Sequence, residues 1–269
     1  MEVVTSDSGG GGPAVVLLHG QPGRGADLDA VARELAPRAR VIVPDRPGYG
    51  RTGGEATGFA GNARAVFELM DRLDVASATF AGHSWGAGLA LAAAQLDPAR
   101  VGALALISPV TPAGRFGPLD RLLADERVGP PLLRAGFGLA GHSLSLRPLR
   151  ELAARSLPGV RYEDLVATAR AWRREPVWRS FFVEQRALMS ELPALAPALP
   201  AIHKPVTVLI GSRDRVVTPR DAMRLASLLP GARFVRVGGA GHLLPQQRPE
   251  LVAREIEALA PPSRSSPAV

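Results

Sequence analysis

The chain contains no cysteine. Disulfides and a cysteine nucleophile are therefore excluded, while the absence says little about redox compartment. Lysine is almost as scarce: Lys204 is the only one, so nearly all of the positive charge is arginine. Aromatic residues make up 5% of the sequence and are not interleaved with the arginines as in a base-stacking platform. Apolar runs are short, and none approaches the roughly 20 residues that a bilayer-spanning helix needs. The opening residues, Met1-Glu2-Val3-Val4-Thr5-Ser6-Asp7, have neither a basic segment nor an apolar one. No secretory leader is expected, and a cytoplasmic location is.

What is present is ordinary in bulk. With 269 residues, 46% of them hydrophobic, the chain can bury a sizeable core in one α/β domain. The net charge is +7, but the arginines are scattered and read as solvated helix faces rather than as a nucleic-acid site. The expected partner is a small-molecule substrate, without nucleic acid and without membrane insertion; a homo-oligomer is compatible with the composition.

Secondary structure follows from apolar patterning. A Gly9 to Gly12 turn precedes Val15 to Leu18, a wholly apolar run of the kind found in buried parallel strands. Similar runs are Val41 to Val43, Ala78 to Ala81, Val101 to Ile107, Val206 to Ile210 and Phe234 to Val237. Between them, Asp27 to Leu35, Ala63 to Leu73, Gly86 to Leu96 and Asp221 to Leu229 show helical spacing. Alternating strands and helices imply a parallel sheet covered on both faces. The alternation stops after Ser108. Residues 109–200 contain no strand run and suggest short helices, among them Leu146 to Arg155, Tyr162 to Arg174 and Val177 to Glu191. The expected division is a first core part, 1–108, a helical cap, 109–200, a second core part, 201–260, and a frayed tail, 261–269.

The chemistry is concentrated in Gly82-His83-Ser84-Trp85-Gly86. A serine on a sharp strand-to-helix turn is an exposed nucleophile, and the flanking glycines relieve the turn. Serine is a poor nucleophile at neutral pH and needs a histidine base held by a carboxylate. Of five histidines, His242 is the best placed, in the glycine-rich loop Gly238 to Gly241 after a strand. Asp214, in Gly211-Ser212-Arg213-Asp214, directly follows the Val206 to Ile210 run and is the expected orienting acid. The order Ser84, Asp214, His242 is the Ser-acid-His order of α/β-hydrolases. An oxyanion hole is expected from the backbone N–H of Trp85 and from that of Gln21, in His19-Gly20-Gln21-Pro22-Gly23. His19 is read as a support for that loop. No metal-ligand cluster is evident, and neither a metal nor an organic cofactor is expected.

Taken together, Leu18 to Gly23, Asp45-Arg46-Pro47-Gly48-Tyr49-Gly50-Arg51-Thr52, Gly82 to Gly86, Gly211 to Asp214 and Gly241-His242 resemble the α/β-hydrolase superfamily. The motifs occur in the family order and cover most of the chain outside 109–200. The resemblance implies a mostly parallel sheet with helices on both faces and a helical cap inserted after the sixth strand. The stretch before Val15 is short, so one leading antiparallel strand fewer than usual is expected. It also implies a loop near the site at Asp45 to Thr52, with Asp45 and Arg46 structural.

Two branches look closest. The His-Gly-x-Pro loop is similar to that of epoxide hydrolases and haloalkane dehalogenases, which use an aspartate where this chain has Ser84. The loop together with Ser-Trp-Gly also resembles proline iminopeptidases, which carry a second glycine where Gln21 stands and cap acids for the substrate amine. Glu151, Glu163, Glu175 and Glu184 are the candidates for those acids. Trp85 is expected to wall the pocket, with Phe137, His142, Trp172, Trp178, Phe181 and Phe182 as pocket or core residues of the cap. The leading expectation is a serine hydrolase for a small, mainly apolar carboxylic ester or lactone. The alternatives are an amidase or iminopeptidase-like aminopeptidase, and a non-catalytic ligand-binding protein on a hydrolase scaffold.

Overall fold

A computed structural model describes residues 2–112, 114, 116–157, 159–174 and 177–259. The expected tail, 261–269, lies outside the described residues.

The sheet is built from β1 (Thr5–Asp7), β2 (Ala14–Leu18), β3 (Arg40–Pro44), β4 (Ala78–His83), β5 (Val101–Ile107), β6 (Val206–Gly211) and β7 (Arg233–Val237). Its order is β1-β3-β2-β4-β5-β6-β7. Every pairing is parallel except that of β1 with β3. Side chains alternate across it. Val16, Leu18, Phe80, Leu104, Leu106, Val208 and Ile210 enter one core layer, while Val15, Leu17, Ala81, Ala105, Ile107 and Leu209 enter the other. Burial on both faces is why these strands read as continuous apolar runs.

Helices α1 (Asp29–Leu35), α2 (Phe59–Arg72) and α3 (Trp85–Leu96) fill the crossovers. In α3 the buried residues run unbroken from Trp85 to Ala94. Such an all-round apolar helix has no solvent face. Between β5 and β6 come α4 (Pro118–Ala124), α5 (Gly129–Ser145), α6 (Arg147–Ser156), α7 (Tyr162–Arg174) and α8 (Val177–Ser190). A 3-10 segment, Pro193–Ala201, leads back to β6; α9 (Pro219–Leu228), α10 (Leu244–Gln247) and α11 (Pro249–Glu257) complete the chain. Prolines open α4, α6, α9 and α11, where the missing N–H costs nothing. Among the described residues no helix is long and apolar enough to cross a membrane.

Two elements differ from the sequence reading. The helical insertion follows the fifth strand in chain order, not a sixth, because β1 is the one strand preceding β2. The glycine-rich α5 is a helix that the sequence patterning does not single out. Its Gly141 lies so near α7 that an added Cβ would come within 2.9 Å of Arg173 and 3.1 Å of Trp172. The glycine that weakens the helical pattern thus permits the packing that stabilises it.

The strand register sets up the site. Leu18 lies opposite Gly82, His83 opposite Ile107, Ile107 opposite Leu209, and Gly211 opposite Val237. The loops carrying residues 19–23, 84, 214 and 242 therefore all leave the same carboxyl edge, where open α/β sheets bind ligands. Lys204 lies at the opposite edge, two residues before β6.

Candidate active site

Ser84 sits where β4 hands over to α3, at φ 54° and ψ −115°. Side chains rarely adopt this positive-φ region, and the strain raises the serine above the sheet edge. A Cβ on Gly82 would collide with the Gly86 carbonyl, and one on Gly86 with the carbonyls of Leu18 and His19. Glycine at both positions lets the chain turn this tightly against the next strand. The Ser84 N–H donates to the Ile107 carbonyl at 2.9 Å, which ties the elbow to β5.

His242 and Asp214 meet Ser84. His242 Nε2 lies 3.1 Å from Ser84 Oγ, and His242 Nδ1 lies 2.9 Å from Asp214 Oδ2. With Nδ1–H donating to the carboxylate, Nε2 is left to accept from the hydroxyl. Asp214 Oδ1 accepts from the N–H groups of Val216 and Val217 at 2.9 and 3.0 Å. Burial alone would raise the Asp214 pKa. The hydrogen bond and charge of His242, with those two amides, outweigh burial and hold it below the ordinary carboxylate value. The two loops are joined by Arg213 N–H donating to the Ala240 carbonyl at 2.8 Å. Gly211 allows this approach, because a Cβ there would collide with the Ala240 and Gly241 carbonyls. His83 supports the arrangement, its Nε2–H donating to the His242 carbonyl at 2.9 Å. Burial and the neighbouring His242 lower its pKa to about 3, so it stays neutral.

The loop His19 to Gly23 faces the elbow. A Cβ on Gly20 would come within 3.2 Å of Ser84 Cβ and of His83 Nδ1. Neither the Gln21 N–H nor the Trp85 N–H has a protein acceptor among the described residues. His19 is spent within the loop: Nε2 accepts from the Arg46 N–H at 3.1 Å, and Nδ1–H donates to the Gly20 carbonyl at 2.9 Å. Burial, helped by the Arg46 charge, lowers its pKa well below the usual histidine value. Asp45 holds neighbouring turns, its Oδ1 accepting from Gly25 N–H at 2.7 Å and its Oδ2 from Arg51 N–H at 3.0 Å.

Arg46 is the residue whose surroundings sequence reasoning missed. Its guanidinium donates to the carbonyls of His19 and Gly20 and forms a buried ion pair with Glu184 of α8. Tyr49 OH donates to the same carboxylate at 2.7 Å. Burial pushes the Glu184 carboxyl up, while Arg46 and Tyr49 restrain it. The pair spans 138 positions, so no local spacing announces it. A signal was nonetheless present: Glu184 lies in helical register with Val177, Ser180, Ala187 and Leu188, on the buried face of α8. A carboxylate there requires a buried partner.

Trp85 departs from expectation. It does not wall a pocket, because α3 begins at once and turns position 85 into the core. Its ring stacks on Phe59 at 4.2 Å and lies 4.3 Å from the Arg46 guanidinium. In the insertion, Phe137 packs edge-on against Trp172 and Phe181. Gln21 Nε2 donates to the Phe181 carbonyl at 3.1 Å, which brings α8 against the loop. His142 is exposed, and Trp178 and Phe182 are half-buried. A cavity of about 450 Å³ lies between Pro22 to Asp27, Asp45 and Arg51 of the core and Trp172 of α7. Ser84, Asp214 and His242 do not line it. Of the insertion acids, Glu184 is paired with Arg46, Glu151 with Arg147, and Glu163 is exposed. Glu175 lies outside the described residues. Among the described residues no three His, Asp or Glu side chains stand together in a way that could hold a metal ion.

Comparison with known proteins agrees with this architecture. The model of the alpha/beta hydrolase family matches residues 15–255. The chain is 30% identical over 244 residues to the magnesium-chelatase 30 kDa subunit of Rhodobacter capsulatus, covering 87% of this chain and 81% of that protein. It is equally 30% identical, over 236 residues, to a pimeloyl-[acyl-carrier protein] methyl ester esterase of Xanthomonas oryzae pv. oryzae, covering 87% and 89%. A thermophilic esterase from Thermogutta terrifontis shares the fold, with a TM-score of 0.74 at 24% identity over 95% of this chain and 92% of that one. The chain belongs to the α/β-hydrolase family and is an enzyme of that class.

Proposed function

We propose that the protein is a serine hydrolase that cleaves a small, mainly apolar carboxylic ester or lactone through an acyl-enzyme. One observation carries this reading: the unbroken hydrogen-bonded chain from Asp214 through His242 to Ser84, ending on a strained elbow. Ser84 Oγ attacks the carbonyl carbon as His242 Nε2 takes its proton. The tetrahedral oxyanion collapses, the alcohol leaves with the proton from His242, and Ser84 is acylated. Water then repeats the sequence, giving its proton to His242 and its oxygen to the acyl group. Asp214 keeps the imidazole in the required tautomer and stabilises the imidazolium. The N–H groups of Gln21 and Trp85 receive the developing charge, and losing one such donor costs ~2.7–4 kcal/mol of transition-state stabilisation.

Residues 109–200 act as a cap that limits water access. An apolar substrate is supported by the Phe137, Trp172 and Phe181 cluster, tied to the Gln21 loop through the Phe181 carbonyl. Ester chemistry is supported by the methyl ester esterase named among the relatives. Among the described residues no insertion carboxylate is both buried and unpaired, which argues against the aminopeptidase alternative. Displacement of halide by an aspartate nucleophile is disfavoured by Ser84.

A fluorophosphonate probe on wild type and Ser84→Ala tests the reading, followed by nitrophenyl esters and arylamides. The expected result is labelling that disappears in the variant, with esters turned over faster than arylamides. Equal labelling of the variant would remove Ser84 from its role. An arylamide preference would favour the amidase.

A further inference from the structure

Arg46 stands directly behind the loop that carries Gln21. Its Nη2 donates to the Gly20 carbonyl at 3.0 Å and its Nε to the His19 carbonyl at 3.1 Å. The Gly20 carbonyl and the Gln21 N–H are opposite ends of one peptide unit. That unit is trans, the cis bond in this loop being the next one, Gln21-Pro22. In a trans peptide the N–H points away from the C=O. The Gly20 oxygen also accepts from His19 Nδ1–H, and the cation and this N–H together fix where the Gln21 N–H points. The cation also draws electron density toward the oxygen and strengthens the Gln21 N–H as a donor. The same guanidinium lies 4.3 Å from the Trp85 ring, and Trp85 Nε1–H donates to the Glu184 carbonyl at 3.4 Å. One buried guanidinium thus bonds the Gly20–Gln21 peptide and packs on the side chain of Trp85.

A buried guanidinium needs a counter-charge, and here it comes from the insertion. Arg46 and Glu184 are both inaccessible to solvent. We infer that Arg46, held by Glu184 of α8, is a positioning residue that orients and polarises the Gly20–Gln21 peptide for oxyanion binding. The docked α8 helix is then part of the transition-state geometry as well as a cover. This inference rests on the serine-hydrolase reading above.

The test must separate positioning from simple stabilisation. Arg46→Lys, Glu184→Gln and the double variant Arg46→Met/Glu184→Met are compared with wild type by circular dichroism and thermal unfolding. The double variant strands no charge and remains informative where a single variant fails to fold. Each folded protein is then measured on a nitrophenyl ester and titrated with an alkyl boronic acid, whose tetrahedral adduct on Ser84 places an oxygen where the oxyanion forms. In the double variant kcat falls about tenfold to a hundredfold and boronate affinity falls in parallel, while KM stays within about twofold. Arg46→Lys keeps the charge but loses the fork, and recovers part of the loss. A folded double variant with wild-type kcat and boronate affinity overturns the inference, whatever its melting temperature. A wild type that neither labels at Ser84 nor hydrolyses any ester overturns the underlying reading, and the inference falls with it.

Discussion

The sheet and the helical insertion are held by different means. In the sheet, residues of β2, β4, β5 and β6 are buried on both faces, and each strand fixes the next through a parallel ladder. In the insertion, α6 has no buried residue, and Leu119, Leu139 and Leu152 lie open to solvent. The insertion's attachment to the core comes through α8 and the 3-10 segment after it, where Leu192 and Leu199 are buried in the main core and Gln95 Nε2 donates to the Leu195 carbonyl at 2.9 Å. Ser180 Oγ donates to the Gly48 carbonyl at 2.7 Å, Phe181 is bonded by Gln21, and Glu184 by Arg46 and Tyr49. Among the described residues, the hydrogen bonds of α4–α7 stay within the insertion. The sheet thus owes its geometry to many small contacts, and the insertion to a few deep ones. Local stability should differ accordingly, with α5–α7 the most easily opened.

The largest effect should come from the sheet edge. Ser84→Ala is expected to lower kcat by roughly 10⁴-fold or more. The unfolding temperature should hardly change, because the hydroxyl carries no packing; ester kinetics with calorimetry would show both. Next, Glu184→Ala leaves the Arg46 charge buried without a partner. About 3–5 kcal/mol of unfolding free energy should be lost, as read by denaturant titration. A loss comparable to an ordinary surface substitution would break the contrast between α8 and its neighbours.

A smaller effect is expected at Asp27, beside the 450 Å³ cavity. Burial raises its pKa from 3.8 to about 6, against the Arg24 N–H and charge. A raised folded-state pKa means that protonation favours the fold, so this group's stabilisation is complete below 3.8 and lost as pH rises through about 6. Asp27→Asn should therefore stabilise the protein at pH 7 by on the order of 1–2 kcal/mol, with the gain vanishing toward pH 4. Thermal melts across that range would check the sign. The smallest effect belongs to the insertion surface. Glu151→Gln breaks the exposed pair with Arg147, and melting should not change measurably.

The sequence revealed most where structure is local. Apolar strands, the glycines of the elbow and the order of Ser84, Asp214 and His242 all depend on near neighbours or on strand ends. Three features escaped for physical reasons. β1 is a short, exposed edge strand, defined only by its pairing with β3. α5 is obscured by its glycines, of which Gly141 permits the close approach to α7. The pairing of Arg46 with Glu184 depends on how an insertion sits on a sheet; periodicity marks Glu184 as buried but does not name its partner.

The placement of Lys204 has a practical consequence. As the only lysine, it offers a single side-chain amine, at the amino edge of β6. The loops carrying Ser84, Asp214 and His242 leave the opposite sheet edge, ~17 Å away at the usual rise per residue. Amine coupling through this side chain would fix the enzyme to a support in one orientation, with the Ser84 face turned outward.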